Sequence, residues 1–302
     1  MKKGIIFLAE PNQVATEAID ILRNNGFEPS YSFGDNTKSK GIFIRTYTKV
    51  TKEYLDKFPN LQFILRAGVG VDNIDIEECK KRNIQIFNAP GSNANAVAEY
   101  ILTVLLMLLK NIPQQVKEIK NRKWRNKNFM GEELFGKTVG LVGCGAIGKT
   151  LAMKLAPLGV SLIGFDPYVN AEELKKYSIK KCNLGFLLEN TDIICLQLTL
   201  TNETKDMFDL NKFSKMKPGC LFINVSRGEL VVEKDLIKAL KGKLIAGAAL
   251  DVFRNEPNVN KGFLTIPNLI VTPHVASFTK QADVAMAVGT VNNFLKNYKG
   301  DL

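Results

Sequence analysis

His274 is the only histidine among 302 residues and lies in VTPHVAS, residues 271–277. A lone histidine is usually a structural residue, so its meaning depends on its company. Two other segments end candidate strands in the same half of the chain: INVSRGELV with Arg227, and ALDVFRNEP with Asp251 and Glu256. An imidazole exchanges protons near neutral pH, and a carboxylate on its other ring nitrogen fixes the tautomer and stabilises the cation. A guanidinium grips a carboxylate and a neighbouring oxygen with its planar fork. His274, Glu256 and Arg227 together suit hydride transfer coupled to proton transfer at a hydroxyl-bearing carbon.

A hydride needs an acceptor, and KTVGLVGCGAIGKTLAMKLAPLGVSLIGFDPY supplies a place for one. A strand runs into Gly143-x-Gly145-x-x-Gly148, and a helix opens inside the motif at Ala146 and Ile147. The first glycine permits a tight turn, the second lets a pyrophosphate approach the backbone, and the third lets helix and strand pack closely. The amides and partial positive charge of the helix N-terminus favour phosphate. Asp166, eighteen residues beyond Gly148, ends the next strand, where a carboxylate can bind ribose hydroxyls and repel a 2′-phosphate. The expected cofactor is therefore NAD rather than NADP. Taken singly, Arg227 reads as a surface arginine and Glu256, before Pro257, as a turn residue. Behind a complete dinucleotide motif, one active site explains them better than separate coincidences.

The elements that must position these groups are legible as alternating apolar runs and helical patterns. GIIFLA, GIFIR, LQFILRAG and IQIFN read as strands of a first α/β domain, with helix-like QVATEAIDILRNNG and IDIEECKKRN between them. A second series, TVGLVG, VSLIGFD, TDIICLQL, CLFINV, LIAGAALD and LIVTP, gives six buried strands, with helices expected near 146–158, 170–177, 203–216 and 233–241. That is the count of a doubly wound dinucleotide fold. NAVAEYILTVLLMLLKN reads as a helix apolar almost all round, buried between domains or subunits. The amphipathic SFTKQADVAMAVGTVNNFLKNYKG at the end is expected to return to the first domain. The reading is an α/β protein of two domains, 1–98 with 277–302 for substrate and 99–276 for NAD.

Composition sets outer bounds. Hydrophobic residues are 45% and charged residues 24%, as in ordinary globular proteins. The net charge of +11 is scattered in short lysine-rich pieces, which favours a solvated surface, then an anionic small ligand, over nucleic acid. The five cysteines form no CxxC pair, so a disulfide framework or metal site is not expected and a reducing, cytoplasmic setting is. MKKGIIFLAEP is too short in its apolar run for a signal peptide, and YILTVLLMLL is far below the about 20 residues of a membrane span.

GCGAIG, NVSRGELV, DVFRNEP and TPHVA resemble the signatures of the D-isomer-specific 2-hydroxyacid dehydrogenases, and the resemblance runs through the whole chain. It implies a Rossmann NAD-binding domain inserted in a flavodoxin-like substrate-binding domain, commonly as a homodimer. IRTYTKVT (44–51), RAGVGVDNIDI (66–76), NAPGSNANAVAEY (88–100) and KWRNKNFMGEELFGKTVG (123–140) look most like the branch that oxidises 3-phosphoglycerate to 3-phosphohydroxypyruvate, the entry to serine biosynthesis.

By position the resemblance makes Arg227, Glu256 and His274 the substrate arginine, orienting acid and acid-base histidine. Ser226 and Asp251 fall on the cofactor side, the backbone of Val69 and Gly70 on the substrate carboxylate, and Arg45 and Arg66 toward a phosphate. Asn93, Val97 and Glu99 fall on the hinge side. Two positions depart from the pattern: Gln197 stands where histidine is common, and Thr199 where proline is common. Regulation through an appended C-terminal domain is not expected, because the chain stops at Leu302. Other readings remain open: a hydroxypyruvate or glyoxylate reductase, a D-lactate dehydrogenase, or a non-catalytic NAD sensor akin to corepressors. Closure of the two domains over substrate is also expected.

Overall fold

Every named strand pairs in parallel, as apolar runs separated by helices predict. The computed structural model describes residues 3–10 and 14–299; the expected first-domain ends 1–2 and 300–302, and Gln13 of the first expected helix, lie outside the described residues. The chain forms two units, Met1–Asn93 with Phe278–Leu302, and Ala94–Ser277. The division falls at Asn93 rather than residue 98, because one unbroken helix starts at Ala94.

The first unit holds β1 (Gly4–Leu8), α1 (Thr16–Asn24), β2 (Phe27–Ser30), β3 (Ser39–Ile44), α2 (Lys52–Leu55), β4 (Phe63–Arg66), α3 (Ile76–Lys81) and β5 (Gln85–Phe87). Its sheet order β2-β1-β3-β4-β5 is the flavodoxin-like arrangement. β2, FEPS, was not legible: a four-residue edge strand with a glutamate and a proline has no apolar run to betray it.

The second unit holds α4 (Ala94–Leu109), α5 (Ile112–Lys120), β6 (Thr138–Val142), α6 (Ala146–Leu155), β7 (Ser161–Phe165), α7 (Ala171–Lys175), β8 (Ile179–Lys181), α8 (Leu184–Asn190), β9 (Ile193–Leu196), α9 (Leu210–Ser214), β10 (Leu221–Asn224), α10 (Glu233–Lys241), β11 (Gly247–Leu250) and β12 (Leu269–Val271). The sheet has seven strands, not six, in the order β12-β11-β10-β9-β6-β7-β8. This is the classical dinucleotide order with one strand added beyond β11. The helix expected over 203–216 shrinks to α9, because residues 201–206 form turns closed by Thr201 and Thr204.

The closing helix α11 (Lys280–Asn297) belongs to the first unit. Its Phe294 stacks on Phe63 with ring centroids 4.3 Å apart and meets Phe27 and Phe87 edge-on. In the second unit α4 buries Ile101, Val104, Leu105 and Leu108 in the same core as Leu141, Leu151 and Ile223. No single helix among the described residues is long and apolar enough to cross a membrane. Cys79, Cys144, Cys195 and Cys220 are buried free thiols and Cys182 is half-buried. Burial pushes the Cys144 and Cys220 thiols up to about 12 and raises Cys195 still further.

Candidate active site

The glycine loop lies between the C-terminal end of β6 and the start of α6. Gly143 has φ +96°, and a Cβ there would come within 2.7 Å of the Gln197 carbonyl oxygen. A Cβ on Gly148 would meet the Gly143 carbonyl oxygen at 2.6 Å. Gly145 has an ordinary φ of −74° and open space where its Cβ would be. The first and third glycines thus satisfy close packing of protein on protein, whereas the second leaves room above the helix N-terminus. No side chain caps α6, and the first-turn amides of Ala146 and Ile147 donate to no acceptor among the described residues. That opening fits a pyrophosphate.

Asp166 directly follows β7 and is buried. One oxygen accepts the Cys144 amide at 2.9 Å, and the other accepts the Tyr168 and Val169 amides at 2.9 and 3.2 Å. It braces the glycine loop as well as presenting a negative charge beside it. Gln197, the first departure from the family pattern, sits beneath that loop. Its side-chain amide donates to the carbonyls of Gly143 at 3.1 Å and Cys195 at 3.3 Å. Thr199 offers its carbonyl to the Thr204 hydroxyl at 2.7 Å, so the chain turns there without proline.

The three candidate chemical groups leave successive strand ends of the same sheet. Arg227 follows β10 and donates through one guanidinium nitrogen to the Ser226 carbonyl at 2.6 Å. Ser226 is buried, its hydroxyl donating to the Leu196 carbonyl at 2.9 Å. Glu256 follows β11. One of its oxygens accepts the Phe253 amide at 3.0 Å, and the other lies 2.8 Å from Nδ1 of His274. Both side chains are about one-third exposed, so a substrate can reach them. Burial pushes the Glu256 carboxyl up, but the His274 hydrogen bond, the Phe253 amide and the charges of His274 and Arg227 hold it below the usual carboxylate range. An ionised Glu256 can only accept, so Nδ1 carries the hydrogen and Nε2 is left to exchange a proton.

His274 has φ +54°, a left-handed conformation uncommon for a non-glycine residue. Asp251 enforces it: its carbonyl accepts the His274 amide at 2.8 Å, and its carboxylate accepts the Val275 and Ala276 amides at 2.8 and 2.7 Å and the Thr272 hydroxyl at 2.6 Å. Asp251, expected on the cofactor side, braces the histidine loop in this structure. It is wholly buried and both oxygens are engaged in holding the histidine loop. Burial raises its carboxyl despite those hydrogen bonds. The Thr272 hydroxyl also pairs with the Tyr100 hydroxyl of α4. Thr272 has one hydrogen and gives it to Asp251, so Tyr100 must donate to Thr272.

In the first unit, Val69 and Gly70 follow β4 in a loop where Gly68 has φ +147°. The Val69 carbonyl accepts from Asn88 at 2.6 Å, and neither the Val69 nor the Gly70 amide has an acceptor among the described residues. Arg45 and Arg66, expected to face a phosphate, are each engaged by groups of their own unit. Arg45 pairs with Asp283 of α11 and is only 14% exposed in its side chain. Arg66 folds beneath Gly68, where an added Cβ would overlap its guanidinium, and donates to the Ala67 carbonyl at 3.1 Å. Asn93 ends the first unit with its side-chain oxygen buried and without a hydrogen-bond partner, while Val97 is core and Glu99 pairs with Lys154 at 3.1 Å on the surface of the second unit. Among the described residues no group of acids, cysteines and His274 is placed to hold a metal.

Residues 102–276 match the family described as D-isomer specific 2-hydroxyacid dehydrogenase, NAD binding domain. The chain belongs to the D-isomer-specific 2-hydroxyacid dehydrogenase family, and its second unit is that family's NAD-binding domain. It is 35% identical to D-3-phosphoglycerate dehydrogenase of Archaeoglobus fulgidus over 98% of this chain and 57% of that one. It is 38% identical to the Bacillus subtilis enzyme of the same name over 86% of this chain and 49% of that one. The chain thus spans about half the length of the curated relatives it matches. Among solved structures, D-lactate dehydrogenase from Aquifex aeolicus, complexed with NAD and lactic acid, superposes with a TM-score of 0.84 at 27% identity, covering 97% of this chain and 95% of that one.

Proposed function

We propose that the protein oxidises D-3-phosphoglycerate to 3-phosphohydroxypyruvate with NAD, and runs the reverse reduction. The observation that carries the chemistry is the Glu256–His274 pair beside Arg227 at adjoining strand ends. The phosphorylated substrate is drawn from the relatives named D-3-phosphoglycerate dehydrogenase. Bound NAD would supply the hydride acceptor, and Gly143, Gly145, the α6 N-terminus and Asp166 would hold it. Arg227 grips the substrate carboxylate and the oxygen on C2. Nε2 of His274 removes the hydroxyl proton as hydride leaves the same carbon, and returns it in reduction. Glu256 keeps Nδ1 protonated and offsets the charge that develops on the ring. The amides of Val69 and Gly70, free among the described residues in the loop after β4, suit a carboxylate oxygen, and Asn93 belongs to the substrate set.

A second reading, a dehydrogenase of an unphosphorylated 2-hydroxy acid such as lactate or glycerate, is favoured by one observation. Both arginines available to a phosphate are committed within the first unit, Arg45 to Asp283 and Arg66 to its own loop. Asp283 competes with a phosphate for the Arg45 guanidinium. NADH oxidation with 3-phosphohydroxypyruvate, hydroxypyruvate, glyoxylate and pyruvate, compared by kcat/KM, decides between them. Preference for the phosphorylated acid supports the first reading, preference for another the second, and no turnover of any overturns both. A homodimer is part of the proposal: Ile112, Val116, Ile119, Trp124, Met130 and Phe135 leave apolar surface exposed on the second unit.

A further inference from the structure

Arg254 lies between Asp251 and Glu256 but takes no part in the chemistry described above. Its guanidinium reaches across two neighbouring loops. Nε donates to the Val231 carbonyl at 2.9 Å, and a terminal nitrogen donates to the Glu229 carbonyl at 3.2 Å and pairs with the Asp206 carboxylate. Its own amide donates to the Glu233 carboxylate at 3.1 Å, in the first turn of α10. The Asp206 amide also donates to the Glu229 carbonyl, at 2.8 Å, from a left-handed φ of +56°. One side chain therefore joins the segments that follow β9, β10 and β11.

Those segments carry the functional groups. The β10 loop holds Arg227 two residues before Glu229, the β11 loop holds Glu256 two residues after Arg254, and the β9 loop begins at Gln197 beneath the phosphate turn. The backbones also touch: a Cβ on Gly228 would lie 2.0 Å from the Phe253 carbonyl carbon and 2.4 Å from the Arg254 nitrogen. Gly228 permits this approach, and the Arg254 fork fixes its register. Three donors aimed at two carbonyls and a carboxylate need a planar guanidinium; an ammonium can keep the ion pair but not the fork.

We infer that Arg254 is a positioning residue that sets the spacing between the substrate arginine, Arg227, and the proton-transfer pair, Glu256 and His274. The inference rests on the proposed 2-hydroxy acid chemistry and deepens it. Misplacing such groups by about 1 Å can cost on the order of 100-fold in rate.

The test compares the parent protein with Arg254→Lys, Arg254→Ala and Asp206→Asn. Four readouts are taken: Tm, NADH affinity by fluorescence, affinity of the NADH complex for oxalate, and kcat and KM across pH for the best 2-oxo acid. Expected is Arg254→Lys folded, with NADH affinity within about twofold of the parent. Its oxalate affinity and kcat/KM should fall about 10- to 100-fold, with Arg254→Ala lower still and a displaced pH profile in both. Oxalate affinity and kcat/KM within twofold of the parent in Arg254→Ala overturns the inference. So does an equal loss of NADH and oxalate affinity, which marks a general structural role. A parent protein that binds NADH but turns over no 2-oxo acid overturns the functional reading, and the oxalate comparison still tests Arg254.

Discussion

One carboxylate oxygen of Glu256 lies 2.8 Å from Nδ1 of His274 while the other accepts the Phe253 amide. The acid is thus held by main chain on one side and holds the imidazole on the other. Glu256→Gln keeps the shape but removes the charge that stabilises a protonated ring. The reduction, which needs His274 as acid, should then fall off at lower pH than in the parent, with kcat reduced on the order of 10²-fold. A pH profile of both directions checks this; an unmoved basic limb removes Glu256 from the proton-transfer pair.

The same residue affects stability. The folded-state carboxyl of Glu256 is held below its unfolded value, so the unfolded chain takes up the proton first as pH falls. Its contribution is complete above the ordinary glutamate value of about 4.3 and is lost as pH drops through that value toward the folded one. Thermal melts from about pH 6 down to about pH 3 should show a shallower acid decline for Glu256→Gln than for the parent.

The left-handed backbone at His274 makes the choice of substitution matter. Asparagine tolerates that region better than alanine, so His274→Asn should melt close to the parent, with His274→Ala lower. Turnover should fall about 10²- to 10⁴-fold in both while NADH affinity persists. Surviving turnover would remove His274 from the proton transfer.

Tyr100, Thr272 and Asp251 form a directional chain behind the histidine loop. Burial pushes the Tyr100 hydroxyl up to about 12, which keeps it a donor. Tyr100→Phe should cost about 1 kcal/mol, whereas Thr272→Val, which strands the Tyr100 hydroxyl and strips one donor from buried Asp251, should cost about 1–3 kcal/mol. Urea melts of both single variants and the double should be non-additive, because the two changes remove one shared hydrogen bond.

Glycines in one motif should fail in different ways. Gly143→Ala places a Cβ against the Gln197 backbone at a positive φ and should lower Tm sharply. Gly145→Ala adds a methyl to open space at an ordinary φ, so the fold should survive and NADH affinity should drop. Equal melting temperatures for the two would contradict this division of roles.

The legible parts of this molecule are those where local chemistry and long-range role coincide. Gly143, Gly148, Asp166 and His274 lie at strand-to-helix or strand-to-loop junctions with recognisable residue types, and the apolar runs of β6, β9 and β10 announce themselves. β2 and β8 did not, because FEPS and IKK are short edge strands whose pairing comes from neighbours rather than hydrophobicity. Asp251 was placed by its strand-end position, but its bracing of the histidine loop was not legible, because only the folded amides of Val275 and Ala276 disclose it. Arg254 had no signature, since main-chain carbonyls, which every sequence possesses, accept two of its bonds.

The buried thiols give this protein an internal clock. A thiol attacks a disulfide reagent only as the thiolate, and burial both hides these sulfurs and opposes ionisation. Cys195 in β9 and Cys220 just before β10 lie at the centre of the second sheet, whereas Cys182 lies just past edge strand β8. Reagent consumption should therefore resolve into a fast phase from fraying at the edge and a slow phase paced by opening of the sheet centre. Followed with and without NADH, the part of the slow phase that comes from Cys195 and Cys220 would measure how much the cofactor holds the second unit shut.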